Sequence, residues 1–247
     1  MRLRLMTYNI HRAIGLDRRF DPARIAEIIG SHDADVVLLQ EVDEGVPRSQ
    51  ELDLARELAD ALGYRHLAVG YNVDLRKGRY GNATLSRHPI LGGRNIDLTI
   101  GHRKRRGCQH ASVAVEGRGG RRRVEVFNLH LGLSARERER QLALLEASRE
   151  LAALGHEVAC LVGGDFNDWR SLLAPLFAER MGFRSATERS RSGQRPIRTF
   201  PSFLPAGPLD AIYYRGPLRL VHARCCRLRL SRVASDHLPV VADFEVH

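Results

Sequence analysis

Val158-Ala159-Cys160-Leu161-Val162-Gly163-Gly164-Asp165-Phe166-Asn167 is an apolar run that ends in two glycines and a pair of polar side chains. Residues 158–162 predict a strand buried on both faces, because a half-exposed strand would alternate polar and apolar positions. Residues 36–39, all Val or Leu, repeat the pattern and lead into Gln40 and Glu41. Strands buried on both faces need cover on both sides. Outward from these two runs, strands are predicted at 2–8, 64–69, 81–86, 90–98, 109–115, 123–128, 209–214, 218–230 and 238–246. Asp21 and Pro22 open a helix to about residue 31, a second helix covers 49–62, and a third follows Trp169, which reads as a helix-packing residue. Ser134 with Glu137 forms a capping box for a helix to about residue 154. Some strands follow one another as hairpins and others are separated by helices, which predicts an α/β fold with mixed sheets covered by helices. The 247 residues contain no linker or repeat, so one domain spanning 1–247 is expected.

The composition narrows the class. No stretch approaches the roughly 20 apolar residues of a membrane span, and the start resembles no secretory signal, so the cytoplasm is the expected compartment. Cys108, Cys160, Cys225 and Cys226 lack a metal-binding or paired spacing and are expected to be free thiols. The formal charge is +10, and of 39 basic residues only Lys77 and Lys104 are lysines, leaving 37 arginines. Arginine matches phosphate with two parallel hydrogen bonds, so the excess fits a nucleic-acid or anionic-lipid partner. It equally fits a coding bias toward arginine, since the charge is spread along the chain without a basic tail.

Polar residues recur at the ends of predicted strands. Asn9 and His11 follow the first, Glu41 the second, His130 the strand at 123–128, and Asp165 and Asn167 the strand at 158–162, while Asp236 and His237 precede the last. Ligands of α/β sheets gather where strand ends open into loops, so these residues are candidates for one crevice. Carboxylates and amide oxygens favour Mg²⁺, with Mn²⁺ also suited, over structural zinc. A phosphodiester needs neutralised oxygens, a deprotonated water and help for the leaving oxygen, and this inventory supplies all three.

Gly163, Gly164, Asp165, Phe166, Asn167 and Ser235, Asp236, His237, Leu238, Pro239, Val240 resemble two signatures of the endonuclease/exonuclease/phosphatase superfamily. Thr7 to Ile10, Leu39 to Val42, the segment around Gly81, Asn82 and Ser86, Asn128 to His130 and Leu209 to Ile212 resemble its other blocks, in the family's order. The resemblance implies a four-layered α/β sandwich, two packed mixed β-sheets flanked by helices. It implies Glu41 as the principal metal ligand, with Asn9 and Asp236 lining the metal site. Asp165 and Asn167 would position the attacking water. His237, oriented by Asp210, would act as base or charge stabiliser, with His130 facing it across the phosphate. His11 and Asn82 would contact phosphate or substrate. No block is missing, which argues for an enzyme over a noncatalytic relative. The family's abasic-site enzymes carry Tyr where His130 stands, so that activity is not expected.

The expected function is Mg²⁺-dependent phosphodiester hydrolysis, with DNA as substrate and little sequence specificity. The basic runs 103–106, 121–123 and the arginines of 184–198, read as a loop, are candidate phosphate contacts. The alternative substrates are phospholipids, sphingomyelin-type lipids, inositol phosphates and nucleotides, for which the same centre would serve. The apolar stretch 200–209, with Phe203 and Leu204, would favour a lipid if exposed beside the site and otherwise reads as a packed loop.

Overall fold

The computed structural model describes residues 1–117, 120–187 and 196–247. The described residues form twelve strands: β1 (Arg2–Asn9), β2 (Val36–Glu44), β3 (His66–Asp74), β4 (Arg79–Ser86), β5 (Ile90–Asp97), β6 (Gly107–Gly117), β7 (Gly120–His130), β8 (Cys160–Asp165), β9 (Arg184–Ser185), β10 (Asp210–Arg215), β11 (Leu218–Cys225) and β12 (Val240–Val246). The helices are α1 (Pro22–Gly30), α2 (Leu54–Leu62), α3 (Ala135–Ala147), α4 (Arg149–Ala152), α5 (Ala174–Met181) and α6 (Ser231–Ala234). The strands make two six-stranded mixed sheets, ordered β11-β12-β1-β2-β4-β3 and β5-β6-β7-β8-β10-β9.

Alternation along the strands builds four layers. Leu3 and Leu5 of β1, Val36 and Leu38 of β2, Val124 and Val126 of β7 and Leu161 of β8 meet between the sheets. The intervening Met6, Tyr8, Val37 and Leu39 face outward onto Ile25 and Ile28 of α1 and Leu54 and Leu58 of α2. On the other sheet Phe127, Leu129 and Val162 face Leu142 and Leu145 of α3 and Phe177 of α5. This is the expected α/β sandwich, and it explains the unbroken apolar runs of β2 and β8: each position is covered by the facing sheet or by a helix.

Local chemistry sets the boundaries, and several differ from the sequence reading. Asp21 caps α1 by accepting from the Arg24 amide, as expected. The helix expected over 49–62 starts only at Leu54, because Gln50 and Glu51 have positive φ and Asp53 caps the helix through the Arg56 amide. The helix expected to reach residue 154 breaks at Ser148, whose backbone is extended and whose hydroxyl accepts from the Leu151 amide to start α4. Ser134 accepts from the Glu137 amide, but the Glu137 carboxylate pairs with Arg103. The strand expected over 218–230 ends at Cys225 and the chain turns into α6. Residues 184 and 185, read as loop, add the short edge strand β9, while Arg189, Arg191 and Arg195 lie outside the described residues. Trp169 lies outside any helix, half exposed and edge-on to Phe200. Cys108, Cys160 and Cys226 are buried free thiols, and Cys225 is a partly buried one. No described helix is long and apolar enough to cross a membrane.

Candidate active site

Strand register assembles the centre. His130 at the end of β7 and Asp210 at the start of β10 both stand opposite Asp165 at the end of β8. Gly164 permits this row: its φ is +147°, and a Cβ there would lie 2.0 Å from the Leu129 carbonyl oxygen. The facing sheet contributes Asn9, whose side-chain amide donates to Asp165 Oδ2 at 3.0 Å. Asp165 Oδ1 accepts from the Asn167 amide at 2.9 Å, and Asn167 Nδ2 donates to the Leu131 carbonyl. His130 Nε2 stands 3.4 Å and His237 Nε2 3.7 Å from the same Asp165 Oδ2. His237 Nδ1 bonds Asp210 Oδ2 at 2.8 Å, so a buried carboxylate fixes the ring's orientation and tautomer. Asp165, Asp210 and His237 form the one described cluster of acids and histidines compact enough to share a cation.

The two imidazoles are tuned in opposite directions. Burial, and then the positive charges of Arg106, His237, Lys104 and Arg12, push His130 well below the ordinary imidazole value. Burial also opposes a charge on His237, but Asp210 and Asp165 outweigh it and raise His237 to about 10. Burial raises the Asp165 carboxyl to about 6, against the attraction of His237. One neutral and one charged imidazole thus flank one carboxylate at neutral pH.

Glu41 sits beside this row rather than within it. One extra residue in β2 between Leu39 and Val42 forms a bulge against β4, and Glu41 has φ +59°. Its Oε2 is buried without a hydrogen-bond partner, with Arg12 Nε 3.4 Å away and likewise unpartnered. Asp210 Oδ1 is a second buried acceptor without a partner. Unmet buried oxygens are what a hard cation satisfies, so the residues present fit a divalent metal. Backbone strain collects here: His11, Arg12 and Ala13 all have positive φ in a left-handed turn after β1. His11 donates its backbone amide to Asn9 Oδ1, and its Nδ1 meets the Ile14 carbonyl. Asp236 accepts at Oδ1 from Ser235 Oγ and adds to the negative field that raises His237. Asn82 is buried and donates to the carbonyls of Gly107 and Asn128, tying β4 to the other sheet.

Several residues at the site carry roles that the sequence reading missed. Asn128, fully buried, donates to the carbonyls of Leu39 and Ala83 and accepts from Gln40 Nε2 at 2.7 Å, locking the two sheets directly behind Asn9 and His130. Its place two residues before His130 on an inward-facing position was the available signal. Phe200 packs against the His237 ring with centroids 5.0 Å apart, and its loop leaves Phe203 60% and Leu204 70% exposed. The run 103–106 divides: Arg103 pairs with Glu137 and Arg105 with Asp74, while Lys104 lies over the Tyr80 ring and Arg106 is buried. In the run 121–123, Arg121 pairs with Glu116 and Arg123 with Glu125.

Known proteins share both the pattern and the fold. The Escherichia coli (strain K12) protein YbhP is 31% identical over 255 residues, covering 99% of this chain and 96% of its own. The crystal structure of an endonuclease/exonuclease/phosphatase from Beutenbergia cavernae superposes with a TM-score of 0.81 at 26% identity, over 99% of this chain and 72% of that one. The human Nocturnin catalytic domain with bound sulfate superposes with a TM-score of 0.78 at 22% identity, over 100% and 95% of the two chains. The sequence pattern that defines the Endonuclease/Exonuclease/phosphatase family matches residues 6–237, and with the two-sheet sandwich and its row of strand-end acids and histidines it shows that this chain belongs to that family.

Proposed function

We propose that the protein is a Mg²⁺-dependent phosphodiester hydrolase that cleaves DNA with little sequence specificity. The observation that carries the reading is the convergence of Asn9, His130 and His237 on one oxygen of Asp165, with His237 held by Asp210. Glu41 would hold the metal through its unpartnered oxygen, with Asn9 and Asp236 beside it. The compact Asp165, Asp210 and His237 cluster is the poorer seat, since a cation there would compete with the His237–Asp210 hydrogen bond. When bound, a divalent cation neutralises phosphoryl oxygens and lowers the pKa of a coordinated water.

The chain's own groups divide the remaining work. Asp165, oriented by the Asn9 amide and the Asn167 backbone, takes the proton of the attacking water at Oδ2. Its carboxyl, raised to about 6, titrates close enough to neutrality to act as a base while still mostly ionised. His237, raised to about 10, is positively charged at neutral pH and stabilises the negative charge that builds on the phosphate. His130, held neutral, donates or accepts a hydrogen bond at the leaving oxygen without adding charge. Asn82 has spent both amide hydrogens on backbone carbonyls, so any contact it makes with a ligand is through its oxygen. His11, partly exposed with Nδ1 engaged, presents Nε2 to substrate.

A second reading has one specific observation in its favour. Phe203 and Leu204 are exposed on the loop whose Phe200 touches His237, with half-exposed Trp169 alongside, as an enzyme that works at a lipid surface would arrange them. The test is hydrolysis of bis(p-nitrophenyl) phosphate with Mg²⁺ by wild type, Glu41→Ala and His237→Ala. Loss of turnover in both folded variants supports the centre, and retention of most activity in either overturns it. Parallel assays on plasmid DNA and on phosphatidylcholine or sphingomyelin vesicles decide between the substrates.

A further inference from the structure

We propose that Arg12, Lys104 and Arg106 form a subsite for a second phosphate of the substrate, next to the one that is hydrolysed. Arg106 is only 7% exposed, its Nε is buried without a hydrogen-bond partner, and among the described residues no carboxylate pairs with it. A guanidinium taken out of water without a counter-ion is costly unless a ligand supplies the missing charge. Lys104 lies two residues earlier, in the segment that leads into β6, and among the described residues it too has no carboxylate partner. Its ammonium lies over the Tyr80 ring, 5.1 Å from the centroid, and partial desolvation followed by the charge of Arg106 depresses its pKa. Arg12 completes the group from the left-handed turn after β1.

Placement and charge both favour phosphate. Lys104 lies over the Tyr80 ring, Arg12 Nε stands 3.4 Å from Glu41 Oε2 and Arg106 is buried two residues from Lys104, and the charges of all three reach Tyr80 or His130. Neighbouring cations are already neutralised: Arg48 makes two hydrogen bonds to Asp43, Arg103 pairs with Glu137 and Arg105 with Asp74. Among the described residues Glu41 is the one carboxylate ion-paired with any of the three, through Arg12, and under the phosphodiesterase reading, on which this inference rests, its charge is taken by the metal. Three cations then exceed what one diester, with a single negative charge, can balance. A second phosphate supplies one further charge as an internucleotide link, or about two as a terminal group. Phosphatidylcholine and sphingomyelin, with one phosphate each, leave the subsite empty.

Two measurements test it. The first compares kcat/KM for the dinucleotide TpT with that for pTpT, TpTp and TpTpT. Wild type is expected to prefer at least one substrate with an added phosphate by about tenfold or more, the size of a charge-assisted contact. Which one it prefers tells a terminal phosphate from the next link of the strand. In Arg106→Gln and in Lys104→Gln the preference should fall to within about twofold. The second measurement needs no turnover: calorimetric binding of thymidine 3′,5′-bisphosphate against each thymidine monophosphate. Wild type should bind the bisphosphate about tenfold tighter, and the two variants should lose that margin. Should Arg106→Gln fail to fold, Lys104→Gln, at an exposed position, carries the test. Equal treatment of all four oligonucleotides and of the mono- and bisphosphates by wild type, or variants that lose affinity equally for mono- and bisphosphates, overturns the subsite. A protein that prefers the bisphosphate yet hydrolyses none of the dinucleotides would keep the subsite and lose the phosphodiesterase reading.

Discussion

Asp210→Asn isolates the charge behind His237 without removing the hydrogen bond that orients it. The asparagine carbonyl can still accept from Nδ1 across the 2.8 Å separation, so the ring stays in place while the buried negative charge disappears. Among the groups that raise His237, Asp210 comes first, by charge and by hydrogen bond. An opposite charge within about 4–6 Å shifts a pKa by about one to three units, so losing it while the hydrogen bond is kept changes the stability of the imidazolium roughly tenfold or more. The pH at which His237 loses its proton should therefore fall from about 10 by about one to two pH units, bringing a basic limb into the pH–rate profile of kcat/KM for bis(p-nitrophenyl) phosphate. The sign for stability follows from the same shift. His237 has a raised folded-state pKa, so its contribution is fully present below its ordinary value and is lost as pH rises through about 10, earlier in the variant. An Asp210→Asn enzyme with the wild-type profile between pH 6 and 10 would refute the assignment of His237 as a charge held by Asp210.

Three further outcomes follow from the structure. Saturating Mg²⁺ should raise the Tm of wild type, by about 5 °C at a hundredfold excess over its Kd, and should leave Glu41→Ala unmoved in differential scanning fluorimetry. Asn128→Ala removes the side-chain donor to two carbonyls and one of the acceptors of Gln40 Nε2, and should cost about 3 kcal/mol or more in urea unfolding. Asp243, held below the usual carboxylate range by Arg4 and Arg224 despite partial burial, contributes stability that is lost as pH falls through its depressed value. Asp243→Asn should therefore cost about 0.5–1 kcal/mol at pH 7, with a difference from wild type that shrinks in acid.

Much of this architecture is legible in the residues themselves. The apolar runs 36–39 and 158–162 anticipate strands covered on both sides, and both lie in the middle of their sheets. Asp21 and Ser134 mark true helix starts because the amide acceptor and the helix it opens are adjacent in the chain. The misplaced boundaries have local causes that composition hides. Ser148 interrupts a pattern that reads as one helix, and Gln50 and Glu51 adopt left-handed backbone that their residue types do not advertise. At the site, the strand-end positions of His130 and Asp165 are visible in sequence and Asp210 comes with its block of the family resemblance, but their meeting in one row depends on the register of three strands. Least legible are Asn128 and Arg106. An asparagine that locks two sheets and an arginine without a counter-ion are defined by burial and partners, and a chain with 37 arginines gives no reason to single out one of them.

The most direct test of the central claim is supercoiled plasmid incubated with the purified protein and Mg²⁺, beside an EDTA control and Glu41→Ala. Nicked circles are expected only where wild type and metal are both present. Intact plasmid after incubation with a folded, Mg²⁺-loaded wild type would contradict it.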